Sequence, residues 1–243
     1  MTMIVLYTDF GSTDPYVGQM HAVLARTAPR AKVIDLLHNV PDFDIRAGAY
    51  LLPPLAAQFP PETVFVAVVD PGVGGEREAV IVLADGRWYV GPDNGLFHVV
   101  ARRAKHLETW IIEWRPQTLS ASFHGRDLFA PAAARLACGD WPMSVSGRLT
   151  APAGDWPDDL PAIIYIDHFG NAMTGLRGGK VYSSGTLAVA GRHLQHAAVF
   201  SAVAPNMPFW YENSIGLAEI AVSRGDAARM MGLQVGDPVQ VMA

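Results

Sequence analysis

Asp70 and Arg77, in DPGVGGER at 70–77, and His124, in SFHGRD at 122–127, are the residues here whose types could act together on a water molecule. A carboxylate and an imidazole can each accept a proton, and a guanidinium favours the hydroxide that develops. Brought together, the three would form a hydrogen-bonded charged trio that orients and activates water. Two more polar clusters interrupt the apolar pattern, TDFGSTD at 8–14 and GPDNG at 91–95. Taken singly, each cluster has a plainer reading. Asp9 or Asp14 can cap a helix, and GPDNG is turn material. A lone histidine such as His124 is ordinarily a satisfied, partly buried side chain. Arg126 and Asp127 read as structural contacts, with Asp127 as a helix cap. His21, His38, His98, His106, His193 and His196 read as surface or core residues, and His168 stays open. Other site chemistries fit worse. There is no GxSxG elbow for a serine nucleophile. The glycines at 72–75 match neither a phosphate-binding GK[ST] loop nor a GxGxxG fingerprint.

The elements that must hold these residues are legible from periodicity. Val64–Val69 is an unbroken apolar, β-branched run, the signature of a strand buried on both faces of a parallel sheet. Asp70 then falls at its carboxyl end, where open α/β sheets bind ligands, and the glycines beyond it permit a close backbone approach. Ile4–Thr8 predicts a first strand, followed by a helix capped by Asp14, opened by Pro15 and buried along Val17, Met20 and Leu24. Val33–Leu36 is a second strand, and a helix from about Asp44 is stopped or kinked by Pro53-Pro54. Ala79–Ala84 and Arg87–Val90 read as a hairpin turned by Asp85-Gly86. Leu96–Ala104 reads as helix, Trp110–Trp114 as extended chain, and Asp127 as the cap of a helix through Ala132–Leu136.

Residues 150–161, TAPAGDWPDDLP, are proline-rich and aperiodic. The reading is an N-terminal α/β domain with a mostly parallel sheet over 1–150, a linker over 151–161, and a smaller β-rich domain over 162–243. The latter has short strands at Ala162–Ile166, Thr186–Ala190, Gly216–Val222 and Pro238–Met242, and one short helix near Asp226–Met231. With 243 residues, half of them hydrophobic, the chain can bury a substantial core. A net charge of −5 without a basic stripe argues against nucleic acid. Cys138 is the single cysteine, so there is no internal disulfide and no Cys/His zinc spacing. No stretch spans a bilayer, and MTMIVLYTDF reads as a core strand, so the expected location is the cytoplasm.

Read in order, TDFGSTDPYVGQMHAVL, HNVPDFDIRAGAYLL, VFVAVVDPGVGGER, VGPDNGLF, SFHGRDLFAPAAA, IDHFGN and NSIGLAEIAV resemble the S-adenosyl-L-methionine hydroxide adenosyltransferases. These are adenosine-forming hydrolases related to fluorinase and chlorinase, and the resemblance covers essentially the whole chain. It implies an α/β N-terminal domain, a β-barrel-like C-terminal domain, and a homotrimer with ligand held between subunits. It also implies hydrolysis of S-adenosyl-L-methionine to adenosine and L-methionine, with no metal and no cofactor beyond the substrate. Asp70, Arg77 and His124 match the trio that handles the nucleophilic water, and Asp9 the aspartate that holds the ribose hydroxyls. Phe43 falls where the halogenases place a tryptophan against the ribose. Asp167 and Asn171 match positions for the methionine amino group and the adenine edge. Ser214 matches a methionine-binding serine, and Phe200 an adenine-stacking ring.

The departures from the halogenases bear on the reaction. Tyrosine and threonine stand there in place of Asp70 and Val73, and a tyrosine–serine pair in place of His124-Gly125. A halogenase is the close alternative, and a non-catalytic sensor of S-adenosyl-L-methionine or a nucleoside is a second. A metal-dependent phosphatase using Asp9, Asp14 and Asp70 is a third.

Overall fold

The computed structural model describes residues 2–150, 156–181 and 185–242. The chain forms two compact units, one of residues 1–52 and 59–154, the other of residues 53–58 and 155–243.

In the first unit the chain runs β1 (Met3–Thr8), α1 (Pro15–Thr27), β2 (Lys32–Leu37), α2 (Ile45–Ala56, of which residues 53–56 are counted with the second unit), β3 (Val64–Val68), β4 (Ala79–Ala84), β5 (Arg87–Pro92), α3 (His98–Arg103) and β6 (Leu107–Ile112). A π-helical turn over Gly125–Phe129 leads into α4 (Ala130–Ala137), and β7 (Ser144–Ser146) follows. The sheet order is β2-β1-β3-β5-β4-β6-β7. β1 lies parallel to β2 and β3, and β3 to β5, while β4 runs against β5 and β6, and β6 against β7. Five of the seven strands therefore share one direction, as the apolar run at 64–69 implies. Every residue of β3 is buried. One face packs Ile4, Leu6, Val64 and Val66 with Met20 and Leu24 of α1 and Ala130–Ala134 of α4. Because β1 sits between β2 and β3, the chain order reverses at β1, and the carboxyl ends of β1 and β3 border the crevice in which such sheets bind ligands.

The Asp85-Gly86 hairpin forms as expected, with φ of 46° and 80°, the left-handed pair that a tight two-residue turn demands. Three local expectations need correction. Asp14 occupies the cap position of α1 but its side chain makes no capping bond. Pro53 and Pro54 lie inside α2, so of the expected stop or kink the stop is not seen. The helix tolerates the two missing N–H groups in its final turns because Ala47, Ala49, Tyr50, Leu51 and Leu52 are buried. Asp127 lies within the π-helical turn and caps nothing. Its Oδ2 accepts the Ser120 N–H at 2.9 Å, and its Oδ1 accepts Arg126 Nε at 2.6 Å.

The second unit is antiparallel. β8 (Leu160–Ile166), β9 (Ala172–Arg177), β10 (Thr186–Val189), β11 (Arg192–Leu194), β12 (Pro208–Glu212), β13 (Leu217–Val222), α5 (Ala227–Met231) and β14 (Gln240–Met242) follow in order. They make a four-stranded sheet, β12-β13-β9-β8, and a three-stranded one, β11-β10-β14. Both sheets contribute to one core, with Ile163, Ala172, Leu187, Val189, Trp210 and Ile220 among its residues. Among the described residues neither sheet closes on itself, so the implied barrel is not seen. β8 begins at Leu160, inside the proline-rich segment, and residues 151–155 of that segment lie outside the described residues. Asp226 caps α5 by accepting the Arg229 N–H at 2.7 Å, and Gly232, at φ 65°, ends it.

Candidate active site

The structure brings Asp70, Arg77 and His124 into contact. Asp70 follows β3 with its side chain 4% exposed, and Arg77 returns to it at 12% exposure. Arg77 Nε donates to both Asp70 oxygens at 3.1 Å, and Nη2 also donates to Oδ2. The same Nη2 lies 3.0 Å from His124 Nδ1. A guanidinium only donates, so Nδ1 is the acceptor and the neutral imidazole carries its proton on Nε2. Burial pushes the His124 pKa below the ordinary value, Arg77 pushes it further down, and Asp70 opposes both.

Glycine geometry sets the approach of the two loops. Gly74 has φ +82°, and a Cβ there would meet the Ala121 carbonyl oxygen at 2.4 Å. We expect Gly74→Ala to cost about 1–3 kcal/mol through strain and overpacking. It should also displace the segment leading to His124. Denaturant unfolding checks the first effect, and turnover at saturating substrate the second. His124 opens the π-helical turn, a geometry frequent at functional sites. Arg126 anchors that turn through Gln19 Oε1 at 2.7 Å and through Asp127.

Asp70 and His124 line a cavity of about 450 Å³ with Asp9, Phe10, Phe43 and Val73. Asp9 follows β1, and its Oδ2 accepts the Phe43 N–H at 3.2 Å. Burial raises the Asp9 pKa, the Phe43 N–H opposes, and the negative charges of Asp42 and Asp70 add to the rise. Phe43 holds φ 62° and is 72% exposed. An aromatic residue adopts that left-handed backbone only when its surroundings enforce it.

The second unit has its own cavity of about 640 Å³, lined by Asp167, Phe169, Asn171, Phe200, Tyr211 and Arg224 among others. Asp167 closes the β8–β9 connection: Oδ1 accepts the N–H groups of Phe169 and Asn171 at 2.9 and 2.8 Å, and Oδ2 accepts Asn171 Nδ2 at 3.0 Å. The Phe200 ring lies 5.1 Å from both Phe209 and Tyr211. Ser214 is exposed in the turn between β12 and β13 and does not line this cavity. Among the described residues no group of three or more His, Cys, Asp or Glu side chains is arranged to hold a metal, Asp9, Asp14 and Asp70 included.

Residues 4–147 match the SAM hydroxide adenosyltransferase N-terminal domain, and residues 161–240 match its C-terminal domain. This chain belongs to the SAM hydroxide adenosyltransferase family. A curated relative from Thermus thermophilus, named (R)-S-adenosyl-L-methionine hydrolase, is 40% identical, with 100% of each chain covered. A fluorinase from Nocardia brasiliensis is 26% identical over 61% of this chain and 58% of its own length. The crystal structure of an uncharacterized conserved protein from Thermotoga maritima superposes with a TM-score of 0.84 at 30% identity, with full coverage of both chains.

The segment at 91–95 does more than turn the chain. Asn94 Nδ2 donates to the Val69 carbonyl at 2.8 Å, fixing the peptide that precedes Asp70. Buried Asp93 accepts the Thr150 N–H at 2.9 Å, and a Cβ on Gly91 would meet the Ala67 oxygen at 2.2 Å. The turn-like composition of GPDNG concealed this clamp, because only the pairing of β5 with β3 places it beside Asp70.

Proposed function

We propose that this protein hydrolyses S-adenosyl-L-methionine to adenosine and L-methionine by attack of an activated water at C5′. The observation that carries the reading is that Asp70 and His124, joined through Arg77, line the same cavity as Asp9. Full-length similarity to a relative named as such a hydrolase supports it. Breaking the C5′–S bond of a sulfonium returns an electron pair to sulfur and releases a neutral thioether, so the leaving group needs no acid. The demanding partner is the nucleophile, since water is weak and hydroxide scarce near neutrality. Arg77 uses the one acceptor nitrogen of His124. Oδ1 of Asp70 takes only the Nε bond among the contacts within the trio, so it has accepting capacity left for a proton from water. The Nε2–H of His124 then donates to the oxygen that becomes hydroxide.

Asp9 offers its carboxylate to the ribose hydroxyls, and Phe43 packs beside the ribose. Asn171 and Phe200 take the adenine edge and face, and Asp167 and Ser214 the methionine portion. The active form is a cytoplasmic homotrimer in which each site draws on more than one subunit, so dilution to concentrations at which the trimer dissociates should abolish activity. Among the described residues no helix is long and apolar enough to cross a membrane.

Two observations weigh against halogenation. A Cβ on Gly125 would lie 3.0 Å from Phe10 Cζ, so a hydroxyl-bearing side chain there would need the Phe10 ring to give by a few tenths of an ångström. A halide near Asp70 would face a repulsion of about 4 kcal/mol at 4 Å in a moderately screened site. The deciding experiment incubates the protein with S-adenosyl-L-methionine in chloride-free, oxygen-18-labelled water and identifies products by mass. Adenosine carrying the label at the 5′ oxygen, with methionine, is expected. Tight ligand binding without products would favour a sensor, and a halogenated nucleoside on adding halide would overturn the reading.

The pH dependence follows from His124. Its neutral form is the one that accepts from Arg77, and its pKa lies below the ordinary histidine value. Activity should hold steady as pH falls through about 6.5 and decline only below it. A pH profile of kcat/KM whose acid limb lies above that value would remove neutral His124 from the mechanism.

A further inference from the structure

We infer that His38 is a positioning residue that fixes the ribose-holding Asp9 segment through the buried hydroxyl of Thr8. This rests on the reading of Asp9 given above. β1 and β2 pair in steady register from Met3↔Lys32 to Leu6↔Asp35, then slip by one residue so that Tyr7 faces Leu37. The slip brings His38, rather than Leu37, alongside Thr8 at the end of β1. Irregularities of this kind re-aim side chains next to active sites.

The consequence is a directed chain of contacts. Thr8 is fully buried and His38 is 8% exposed. His38 Nε2 lies 3.0 Å from Asp35 Oδ1, off the axis of a good hydrogen bond yet facing a carboxylate that only accepts. His21 Nε2 approaches the same oxygen at 2.7 Å. Burial alone would raise the Asp35 pKa, but the contacts with His38 and His21 outweigh it and hold Asp35 ionised. With the ring proton on Nε2, facing the Asp35 carboxylate, His38 Nδ1 accepts from the Thr8 hydroxyl at 2.8 Å. That leaves the Thr8 oxygen to accept the Phe10 N–H at 3.3 Å. The His38 carbonyl accepts the Gly11 N–H at 2.7 Å, and the Thr8 carbonyl accepts the Val40 N–H at 3.2 Å. Both peptide N–H groups after Asp9 are thus held by His38, one through Thr8 and one directly. A carboxylate that must meet two adjacent hydroxyls at once is sensitive to such placement.

The test compares binding of adenosine and 2′,3′-dideoxyadenosine to the full chain, because the pair isolates what the ribose hydroxyls contribute. The variants are Thr8→Val, which removes the hydroxyl at constant shape, His38→Leu, and His38→Asn, which keeps an acceptor near the Nδ1 position. We expect Thr8→Val and His38→Leu to weaken adenosine about tenfold, the worth of roughly one well-placed hydrogen bond to a charged group, with dideoxyadenosine within about twofold of its original affinity. His38→Asn should recover most of the preference. KM for S-adenosyl-L-methionine should rise while kcat stays within about threefold, because the trio stands on other segments. Equal weakening of both nucleosides, or none, overturns the role of His38 and leaves the Asp9 reading standing. An unaltered protein that binds both nucleosides alike overturns the Asp9 reading and this inference with it.

Discussion

Asp70→Asn lowers kcat by about 10²–10⁴-fold, the range ascribed to a positioned general base, while the affinity for adenosine stays within about threefold. The asparagine amide keeps an oxygen that can accept from Arg77 Nε, so the side chain retains its place and much of its packing. What it loses is the ability to take a proton from water. A second signature distinguishes this from general disruption. The Asp70 charge opposes the fall in the His124 pKa, so removing it should move the acid limb of the residual activity to lower pH. Single-turnover rates across pH on the variant and the unaltered protein check both effects together. Wild-type turnover in Asp70→Asn would take the trio out of the mechanism, whatever its geometry.

How much of this was legible without coordinates depends on the residue. The run at 64–69 announced a strand buried on both faces, and β3 is that strand, because only a central parallel strand needs apolar side chains on both sides. Asp85-Gly86 announced its hairpin because two consecutive left-handed residues leave few sequence choices. Asp70, Arg77 and His124 were legible as types of residue, but their contact was not. Arg77 and His124 are 47 positions apart, and no local periodicity encodes how two loops fold onto each other. Asp127 read as a cap because aspartate before an apolar helix usually is one. The wider π-helical turn starts the helical path at His124 and takes Asp127 into its interior. His38 read as an ordinary histidine because its importance comes from a one-residue register slip, which alternation in β2 does not reveal. In the second unit the sequence pattern does not mark β9, β11 and β12. β9, AMTGLR, carries a glycine whose close neighbour is Leu160, so its pattern breaks where the packing is tightest. Ser214 matches by motif yet stands exposed in its turn, whereas Tyr211, three residues earlier, lines the cavity.

Arg77→Met should be the most damaging single change, in stability as well as rate. Asp70 is 4% exposed at its side chain, and Arg77 supplies its paired donors within the trio while also donating to His124 Nδ1. Removing the guanidinium strands a buried carboxylate, and breaking one side of a buried ion pair costs about 3–5 kcal/mol. Turnover should disappear too, since the imidazole loses the donor that fixes its tautomer. Arg77→Lys cannot bridge both partners with one ammonium, so it should fall between in stability and remain poorly active. The double variant Asp70→Asn/Arg77→Met makes the argument specific. With both charges gone, the site holds a neutral amide beside an apolar side chain, and most of the lost stability should return while activity does not. Denaturant unfolding of the four proteins gives the coupling between the two positions directly. Strictly additive losses would mean that the pair is not coupled, and that Asp70 is stabilised by something other than Arg77. Recovery of stability without recovery of rate would show that the charges are kept for chemistry, since the fold stands without them.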